Sequence, residues 1–317
     1  MSQPKILACG EVLWDLFPDG ECFGGAPANF ACHAATLGGR VSILSAVGND
    51  RRGDEALGML QAFGVEIDLV QRIPDAPTGS VGVAVDSRGK PSFEIHADSA
   101  WDRIAWSLTL EEQIASLNAI YFGTLGQRSV ISRTTIQHAM KLSKAHGILR
   151  VLDVNLRKPY HEPALIRESI SQAGVLKLSD DELPEVAAAS DVSLDSKPEF
   201  TLRSLLNQYA LDYVVMTRGA EGALLVSATE TVDQPEIPVQ VVDTVGAGDA
   251  FVAALVLGLL RRDAIDDILR KACEAGSAVC SQSGAMPSRL DQAQRRIALH
   301  NRTTCESPNN PFPFAPN

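Results

Sequence analysis

Long hydrophobic runs are missing from this 317-residue sequence. No stretch approaches about 18 apolar residues, and the N-terminus lacks a basic segment followed by an apolar one. We therefore expect a cytoplasmic protein with no membrane partner. Positive charge is also scarce, with 28 Lys and Arg against 39 Asp and Glu. The net charge of −11 argues against nucleic acid as a partner, although a local site with magnesium can still bind a nucleotide.

Paired metal-ligand and disulfide motifs are missing as well. The six cysteines contain no C-x-x-C pair, and the six histidines are scattered without metal-ligand spacing. We therefore predict buried free thiols rather than a disulfide framework, and no zinc site. No G-x-G-x-x-G motif follows the first predicted strand, which weighs against an NAD-binding oxidoreductase.

The most informative stretch is residues 243–251, Asp-Thr-Val-Gly-Ala-Gly-Asp-Ala-Phe. A β-branched run at 239–242 predicts a strand before it, and an apolar pattern at 250–260 predicts a helix after it. The amides of the turn Gly246-Ala247-Gly248 would lack internal partners and lie at the positive end of the helix dipole, which favours phosphate. Asp249 directly after such a site suits a base that takes the proton from an alcohol attacking phosphorus. The alternative is a helix-start carboxylate without a catalytic role.

Polar residues also follow other predicted strands, where ligands of open α/β sheets collect. Asp15 lies beyond the strand at 6–10 and can accept hydrogen bonds from two neighbouring hydroxyls, as a sugar presents them, but it is equally typical of a turn. Gly24 and Gly25 lead into a predicted helix whose first turn carries Asn29. Further strand ends carry Gln127, Asn155, Arg157, Glu182 and Thr217. Together these residues predict one polar crevice.

Strand and helix patterns alternate along the chain. Predicted strands lie at 6–10, 41–47, 119–122, 149–154, 175–178 and 213–216. Repeated strand–helix units predict an α/β fold, with a doubly wound, mostly parallel sheet and helices on both faces. The final predicted helices are at 264–282 and 291–299, and a tail rich in Pro and Asn begins at 303.

A predicted β-hairpin interrupts this alternation. Its strands lie at 81–85 and 92–96, around a turn at 87–90. We interpret it as a small extra sheet and favour a lid over a decoration of the sheet edge. Phe93 is a candidate for contacting the substrate.

With these features assembled, the chain from about residue 4 to 287 resembles the ribokinase/PfkB carbohydrate kinases. Residues 24–29, Gly-Gly-Ala-Pro-Ala-Asn, resemble the family's N-terminal sugar signature, and residues 243–251 resemble its C-terminal signature. Finer motifs resemble fructokinases. They are Gly10–Asp15, Ala100–Asp102, Gly123–Leu125 with Gln127 and Arg128, and Asp153–Arg157.

The resemblance implies a ribokinase-like single domain at 1-302, with an inserted β-lid at about 11-30 and 78-100 and a flexible tail at 303-317. It implies ATP and a sugar as substrates, Mg²⁺ and K⁺ as cofactors, and a homodimer formed through the lid. Asp249 would be the general base, and the amides of Gly246, Ala247 and Gly248 would stabilise the transferring phosphoryl group. The implied sugar contacts are Asp15, Gly24, Gly25, Asn29, Phe93, Gln127, Asn155 and Arg157.

The resemblance also implies a nucleotide side, formed by Lys177, Glu182, Thr217, Gly219, Gly222 and Gly248. Glu182 would bind Mg²⁺ through water, and Asp243 would bind a monovalent cation together with carbonyls near 245 and 279–288. One position departs from the family, since Ser179 stands where asparagine is usual. Serine is shorter and lacks the amide, so the water network around magnesium would differ, but the retained Glu182 leads us to expect activity.

We therefore predict ATP-dependent phosphorylation of a free hexose at a terminal hydroxyl, with fructose and fructose 6-phosphate as the first substrate and product to test. One alternative is a kinase of the same family for another small sugar or a nucleoside. A second alternative, of a different class, is a non-catalytic sugar-sensing protein on this fold. Retention of Asp249 and of both glycines of the C-terminal signature argues against the second.

Overall fold

A nine-stranded sheet forms the centre of the molecule in the computed structural model, which describes residues 3–18, 20–85 and 91–286, with only the backbone at 84, 85 and 91–93. In chain order the strands are β1 (Lys5–Cys9), β2 (Leu13–Phe17), β3 (Gly20–Gly24), β4 (Arg40–Gly48), β5 (Val70–Ile73), β6 (Gly79–Val85), β7 (Pro91–Ile95), β8 (Ala119–Gly123), β9 (Leu149–Asp153), β10 (Val175–Ser179), β11 (Tyr213–Thr217), β12 (Ala223–Ser227) and β13 (Thr231–Gln234).

The helices alternate with these strands for most of the chain. They are α1 (Ala26–Thr36), α2 (Arg51–Ala62), α3 (Leu108–Ile114), α4 (Val130–Ala145), α5 (Pro163–Gln172), α6 (Leu183–Ala189), α7 (Pro198–Tyr209), α8 (Ala247–Arg261) and α9 (Ile265–Cys280). Two buried apolar clusters lie on opposite faces of the sheet. One contains Phe30 of α1 and Phe251 of α8, and the other contains Ile136 of α4 and Leu205 of α7. Burial of each such side chain contributes about 1.5–3 kcal/mol to the free energy of unfolding. Covering both faces of the sheet with helices buries the apolar side chains of both.

The order of the main sheet is β13-β12-β11-β10-β9-β8-β1-β4-β5. Strand β1 pairs in parallel with β4 on one side and with β8 on the other, so the chain winds outward from β1 in both directions. This confirms the predicted doubly wound, mostly parallel sheet. Ligands of such sheets bind beyond the carboxyl ends of the strands, where the winding reverses. Here that point lies beside the residues that follow β1 and β8.

The predicted hairpin is confirmed as β6 and β7, which pair antiparallel. It belongs to a second, four-stranded sheet of order β3-β2-β6-β7, hereafter the small sheet. Strand β2 pairs antiparallel with β3 and parallel with β6, so the segment after β1 joins the hairpin across the sequence. The predicted turn at 87–90 lies outside the described residues.

The predicted strand at 239–242 is wrong, because this run has no strand partner. Val241 and Val242 are each 53% exposed, and the Val242 amide donates instead to the Cys280 carbonyl at 2.8 Å. The sheet already ends in β12 and β13, which pair antiparallel and which sequence reasoning did not predict. A β-branched run favours extended backbone, but it forms a strand only where it can pair with the edge of a sheet.

Four of the five described cysteines carry free thiols, as predicted, although Cys280 is only half-buried. Cys9, Cys32, Cys273 and Cys280 are free, and burial raises the pKa of the Cys273 thiol to about 11. Cys22 on β3 is disulfide-bonded, so the prediction of free thiols is wrong there. Cys305, the predicted helix at 291–299 and the predicted tail lie outside the described residues. Within the described ranges, none of the helices has the length and apolarity that a membrane crossing requires.

Candidate active site

The N-terminus of α8 is formed by the predicted glycine turn. Gly246 has φ of 80°, a left-handed conformation that favours glycine. A Cβ added at Gly246 would lie 2.6 Å from the Cβ of Ala285, so a side chain would collide with that loop. A Cβ at Gly248 would instead lie 3.5 Å from the Nζ of Lys177. The Gly248 amide of the first helical turn therefore adjoins a lysine ammonium, which adds to the attraction for an anion, whereas the Ala247 amide donates to the Thr244 carbonyl at 3.3 Å.

Asp249 lies in the first turn of α8 and is 8% exposed. Its Oδ2 accepts a hydrogen bond of 2.8 Å from Nδ2 of Asn29. Burial raises the pKa of Asp249 to about 7, although the Asn29 hydrogen bond opposes the shift; nearby Asp153 raises it further, and Lys177 and Arg157 lower it. A carboxylate with a pKa near neutrality is matched to accepting a proton at physiological pH.

Asn29 is held in place by the start of α1. Gly25 precedes that helix with φ of 103°, and a Cβ there would lie 2.6 Å from the Glu11 carbonyl oxygen, so only glycine fits. The Asn29 amide N–H donates to the Gly25 carbonyl at 2.9 Å. The side-chain Oδ1 of Asn29 is buried and has no partner among the described residues. Asn29 thus orients Asp249 with one end of its amide and leaves an acceptor at the other.

Asp15 lies in the middle of β2, in the small sheet rather than at the edge of the main sheet. A Cβ at Gly24 would approach Oδ2 of Asp15 to 2.9 Å, so the bare backbone of Gly24 makes room for the carboxylate. Burial raises the pKa of Asp15 to about 6, and the charge of Arg157 opposes this shift. Arg157 is exposed and follows β9 in the same loop as Asn155, which has φ of 41°. Asp15 and Arg157 belong to different elements, but the charge of Arg157 acts on the carboxylate of Asp15.

Two buried acidic residues were missed as site residues by sequence reasoning. Glu11 lies two residues after β1 and is 3% exposed, and its Oε2 has no partner among the described residues. Burial raises the pKa of Glu11 to about 7. Asp153, at the end of β9, accepts hydrogen bonds of 3.1 and 3.3 Å from Nζ of Lys177. The signal for both is a carboxylate at the carboxyl end of a buried strand.

The buried pair Asp153–Lys177 joins adjacent strands β9 and β10. Burial opposes the charge on Lys177, but the neighbouring carboxylates, Asp153 first among them, raise its pKa. The ammonium therefore stays charged beside the glycine turn. A buried cation that is already paired keeps a fixed position, which suits recognition of a phosphate better than a mobile surface lysine does.

Glu182 ties together the ends of β9 and β10. Its Oε1 accepts from the Leu156 amide at 2.6 Å, and its Oε2 accepts from the Ser179 amide at 2.8 Å. Oγ of Ser179 accepts in turn from the Glu182 amide at 3.3 Å. Both carboxylate oxygens of Glu182 are thus engaged with backbone, which fits a contact with magnesium through water better than direct ligation.

The neighbouring strand end carries the other residues predicted for the nucleotide side. The Thr217 carbonyl at the end of β11 accepts from the Asp180 amide at 2.9 Å, which joins this loop to the one that carries Glu182. Gly219 and Gly222 both have positive φ, and the Arg218 amide donates to the Gly222 carbonyl at 2.8 Å. These contacts form a narrow turn beside the ends of β10 and β11.

Asp243 connects the two loops predicted to bind a monovalent cation. Its Oδ1 accepts from the Val245 amide at 3.1 Å, and its Oδ2 accepts from the Gly284 amide at 2.9 Å. Among the described residues, no group of three or more His, Cys, Asp or Glu could hold a metal ion. Metals that bind here would take part of their coordination from backbone carbonyls, water or a bound phosphate.

Gln127 and Phe93 are not brought into the crevice by any described contact. Gln127 is fully buried, and its Nε2 donates to the Gly123 carbonyl at 2.9 Å and to Oγ of Ser169 at 3.0 Å. Its amide nitrogen is therefore committed to internal partners. Phe93 lies on β7, where the structure describes the backbone alone. Their sugar contacts remain predictions.

Comparisons with known proteins show the family of the chain. The family model described as pfkB family carbohydrate kinase matches residues 20–293. The chain is 28% identical to a probable fructokinase-5 of Arabidopsis thaliana, over 90% of this chain and 94% of the relative. It is also 28% identical to an aminoimidazole riboside kinase of Salmonella typhimurium, over 89% of this chain and 91% of the relative.

A solved structure also matches the chain over most of its length. It is a double-mutant fructokinase from Vibrio cholerae O395 in a form bound to fructose, ADP and potassium ion. The match has a TM-score of 0.77 and 25% identity, and it covers 95% of this chain and 99% of that one. With the glycine turn, the buried carboxylate of Asp249 and the family match over most of its length, the chain belongs to the pfkB family of carbohydrate kinases and is a phosphotransferase that acts on a sugar.

Proposed function

We propose that this protein is an ATP-dependent hexose kinase that converts fructose to fructose 6-phosphate. The observation that carries the proposal is the pairing of a buried carboxylate with a helix N-terminus that suits an anion: Asp249, held by Asn29, follows the glycine turn at the start of α8. A sugar hydroxyl beside Asp249 would face a phosphoryl group placed on the amides of Gly246, Ala247 and Gly248. Phosphoryl transfer needs mainly such positioning and charge stabilisation.

The reaction follows from this placement. The terminal hydroxyl oxygen of the sugar forms a bond to the γ-phosphorus of ATP while the bond from that phosphorus to the β–γ bridging oxygen breaks. The hydroxyl proton passes to Asp249, and ADP leaves with the electron pair of the broken bond. The glycine-turn amides and the Lys177 ammonium stabilise the negative charge on the transferring group. Asp15, the free Oδ1 of Asn29 and Arg157 hold the sugar.

The metal assignments rest on the carboxylates around this site. Magnesium bound with ATP would neutralise phosphate charge, with Glu182 reaching it through water. Asp243 bridges the loops at 243–246 and 280–286. A potassium ion at these loops would stabilise the backbone that forms the glycine turn.

The small sheet is proposed to act as a lid and to form a homodimer. Its outer strands, β3 and β7, are edges of the described sheet, and unpaired edge groups tend to pair with another chain. Light scattering at micromolar concentration should give the mass of a dimer. A monomer under these conditions would contradict the assembly.

Fructose is favoured by the named relatives, which include a probable fructokinase and a fructokinase bound to fructose and ADP. The aminoimidazole riboside kinase keeps a nucleoside-type substrate as the second candidate, since its identity to this chain is the same. A panel of hexoses, pentoses and nucleosides, assayed with ATP by coupled ADP detection, separates them. Fructose should give the highest kcat/KM. ADP formation that is independent of every acceptor would contradict sugar phosphorylation.

The activity should depend on pH through Asp249. Protonation removes the base, so a pKa of about 7 predicts that kcat/KM for the sugar falls as the pH drops below neutrality, and more steeply below about pH 6, where Asp15 is protonated as well. Glu11 titrates in the same range, which makes Glu11→Gln the matched control. The acid limb should persist near pH 7 in that variant. A flat profile in the wild type, or loss of the limb with Glu11→Gln, would contradict the assignment to Asp249.

A further inference from the structure

Two motifs that the proposed reaction does not use meet in one buried cluster, hereafter the Arg128 cluster: Trp101, Asp102, Arg128 and Tyr160. Nε of Arg128 donates to Oδ1 of Asp102 at 2.8 Å, and Nη2 donates to Oδ2 at 2.7 Å. The two side chains are 7% and 12% exposed. This bidentate geometry fixes the plane of the guanidinium as well as its position.

Aromatic rings enclose the same guanidinium. The Cζ of Arg128 lies 3.9 Å from the centroid of the Trp101 ring and 4.7 Å from that of Tyr160. Both distances are within the range of attractive cation–π contacts. Trp101 precedes α3, whereas Tyr160 follows β9, so the arginine links two separate loops.

The cluster also holds the end of the hairpin in the small sheet. Nη2 of Arg128 donates to the His96 carbonyl at 2.7 Å, and the Tyr160 hydroxyl donates to the Ile95 carbonyl at 2.7 Å. His96 is joined in turn to the start of β6, because its amide donates to the Ser80 carbonyl at 3.0 Å and its Nδ1 pairs with Ser80 Oγ at 2.8 Å. The start of β6 and the end of β7 are therefore both connected to the Arg128 cluster.

Tyr160 connects that point to the sugar side of the crevice. It lies three residues after Arg157, and its amide donates to the Arg157 carbonyl at 2.8 Å. The cluster thus contacts the base of the small sheet and the loop that carries Asn155 and Arg157. A buried ion pair by itself contributes little net stability. The hydrogen bond from Arg128 to the His96 carbonyl is not needed for the pairing of Arg128 with Asp102.

We propose that Arg128 is a positioning residue, which holds the base of the small sheet and the 155–160 loop in the relative placement that binding of the sugar requires. The proposal rests on the proposed function for its substrate. Arg128 would not touch the reacting atoms. Its loss should weaken the sugar side more than the nucleotide side, because Thr217, Gly219 and Gly222 lie at and after the end of β11, away from the cluster, and only Glu182 is joined to the same loop, through the Leu156 amide.

The gentlest test is Tyr160→Phe, which removes one hydroxyl and retains the ring. We expect the sugar KM to rise about two- to tenfold, as for one lost hydrogen bond, with the ATP KM and kcat little changed. Tyr209→Phe is the matched control, because the buried Tyr209 hydroxyl has no partner among the described residues. That control should leave both KM values unchanged.

The stronger variant is Arg128→Lys, with Arg133→Lys as its control. Lysine keeps the charge but loses the planar, bidentate contact, so the rise in sugar KM should exceed that of Tyr160→Phe. Arg133 lies close by in sequence, donates to the Gln127 carbonyl at 2.9 Å and pairs with the exposed Glu162. Equal rises in the sugar and ATP KM values would overturn the positioning role.

Hydrogen exchange of the hairpin amides tests the positioning role of Arg128 without an activity measurement. Both Tyr160→Phe and Arg128→Lys should speed exchange in peptides that contain Ser80 and His96, while the core strands β8 to β10 stay protected. Unchanged exchange at the hairpin in both variants would overturn the proposal, whatever the wild type phosphorylates. A wild type that phosphorylates no sugar counts against the proposed function alone.

Discussion

Asp249→Asn should lose about 10²- to 10⁴-fold in kcat while it still binds sugar and ATP. Asparagine has nearly the same shape, and its carbonyl oxygen can still accept the hydrogen bond from Asn29, so α1 and α8 keep their contact. The amide cannot take up the hydroxyl proton. Single-turnover assays with ADP detection measure the loss, and calorimetry with a non-hydrolysable ATP analogue and fructose measures the retained binding.

A matched aspartate controls for the general effect of the substitution. Asp266 occupies the first turn of α9 as Asp249 occupies that of α8, but Asp266 is exposed. Asp266→Asn should therefore keep wild-type kcat. If Asp249→Asn retained most of its kcat, the base would have to be another group, and the buried carboxylate of Glu11 would be the next to test.

Much of the fold could be predicted because its determinants are local. The strands at 41–47, 119–122, 149–154, 175–178 and 213–216 are confirmed to within a residue or so at each end, since apolar runs bounded by turn residues mark buried parallel strands. The prediction at 239–242 failed because a strand also needs a partner. Nothing in the run itself shows that β12 and β13 already close that edge of the sheet.

The site, like the fold, has features that are local in sequence and features that depend on distant residues. The glycine turn and Asp249 are consecutive in sequence, so their relation could be predicted from the residues alone. The hydrogen bond from Asn29 to Asp249 spans 220 residues, and no local pattern predicts it. The burial of Glu11 likewise depends on the close approach of Gly126 to Gly10, where an added Cβ would lie 2.8 Å from the Gly10 Cα. Packing between distant loops sets the pKa values of these carboxylates, so sequence could propose the groups but not their ionisation.

The proposed sugar contact of Asp15, on β2 of the small sheet, predicts that loss of its carboxylate affects the KM for the sugar and not the KM for ATP. Asp15→Ala is expected to raise the sugar KM about ten- to a hundredfold, because a charged partner is lost from the hydrogen bonds of the sugar hydroxyls. The ATP KM should change little, since Glu182, Thr217 and the glycine turn remain. Initial-rate measurements with each substrate varied in turn check both values.

Two further variants show whether charge or position matters at Asp15. Asp15→Asn retains one acceptor oxygen in the space beside Gly24, so its sugar KM should lie between those of the wild type and Asp15→Ala. Glu94→Ala removes an exposed carboxylate from β7 of the same sheet and should leave both KM values near wild type. Parallel rises in the sugar and ATP KM values of Asp15→Ala would mean that the carboxylate supports the small sheet rather than the sugar. Because the half-buried Asp15 has a pKa of about 6, the sugar affinity of the wild type should also weaken below that pH, whereas Asp15→Asn should lose this dependence.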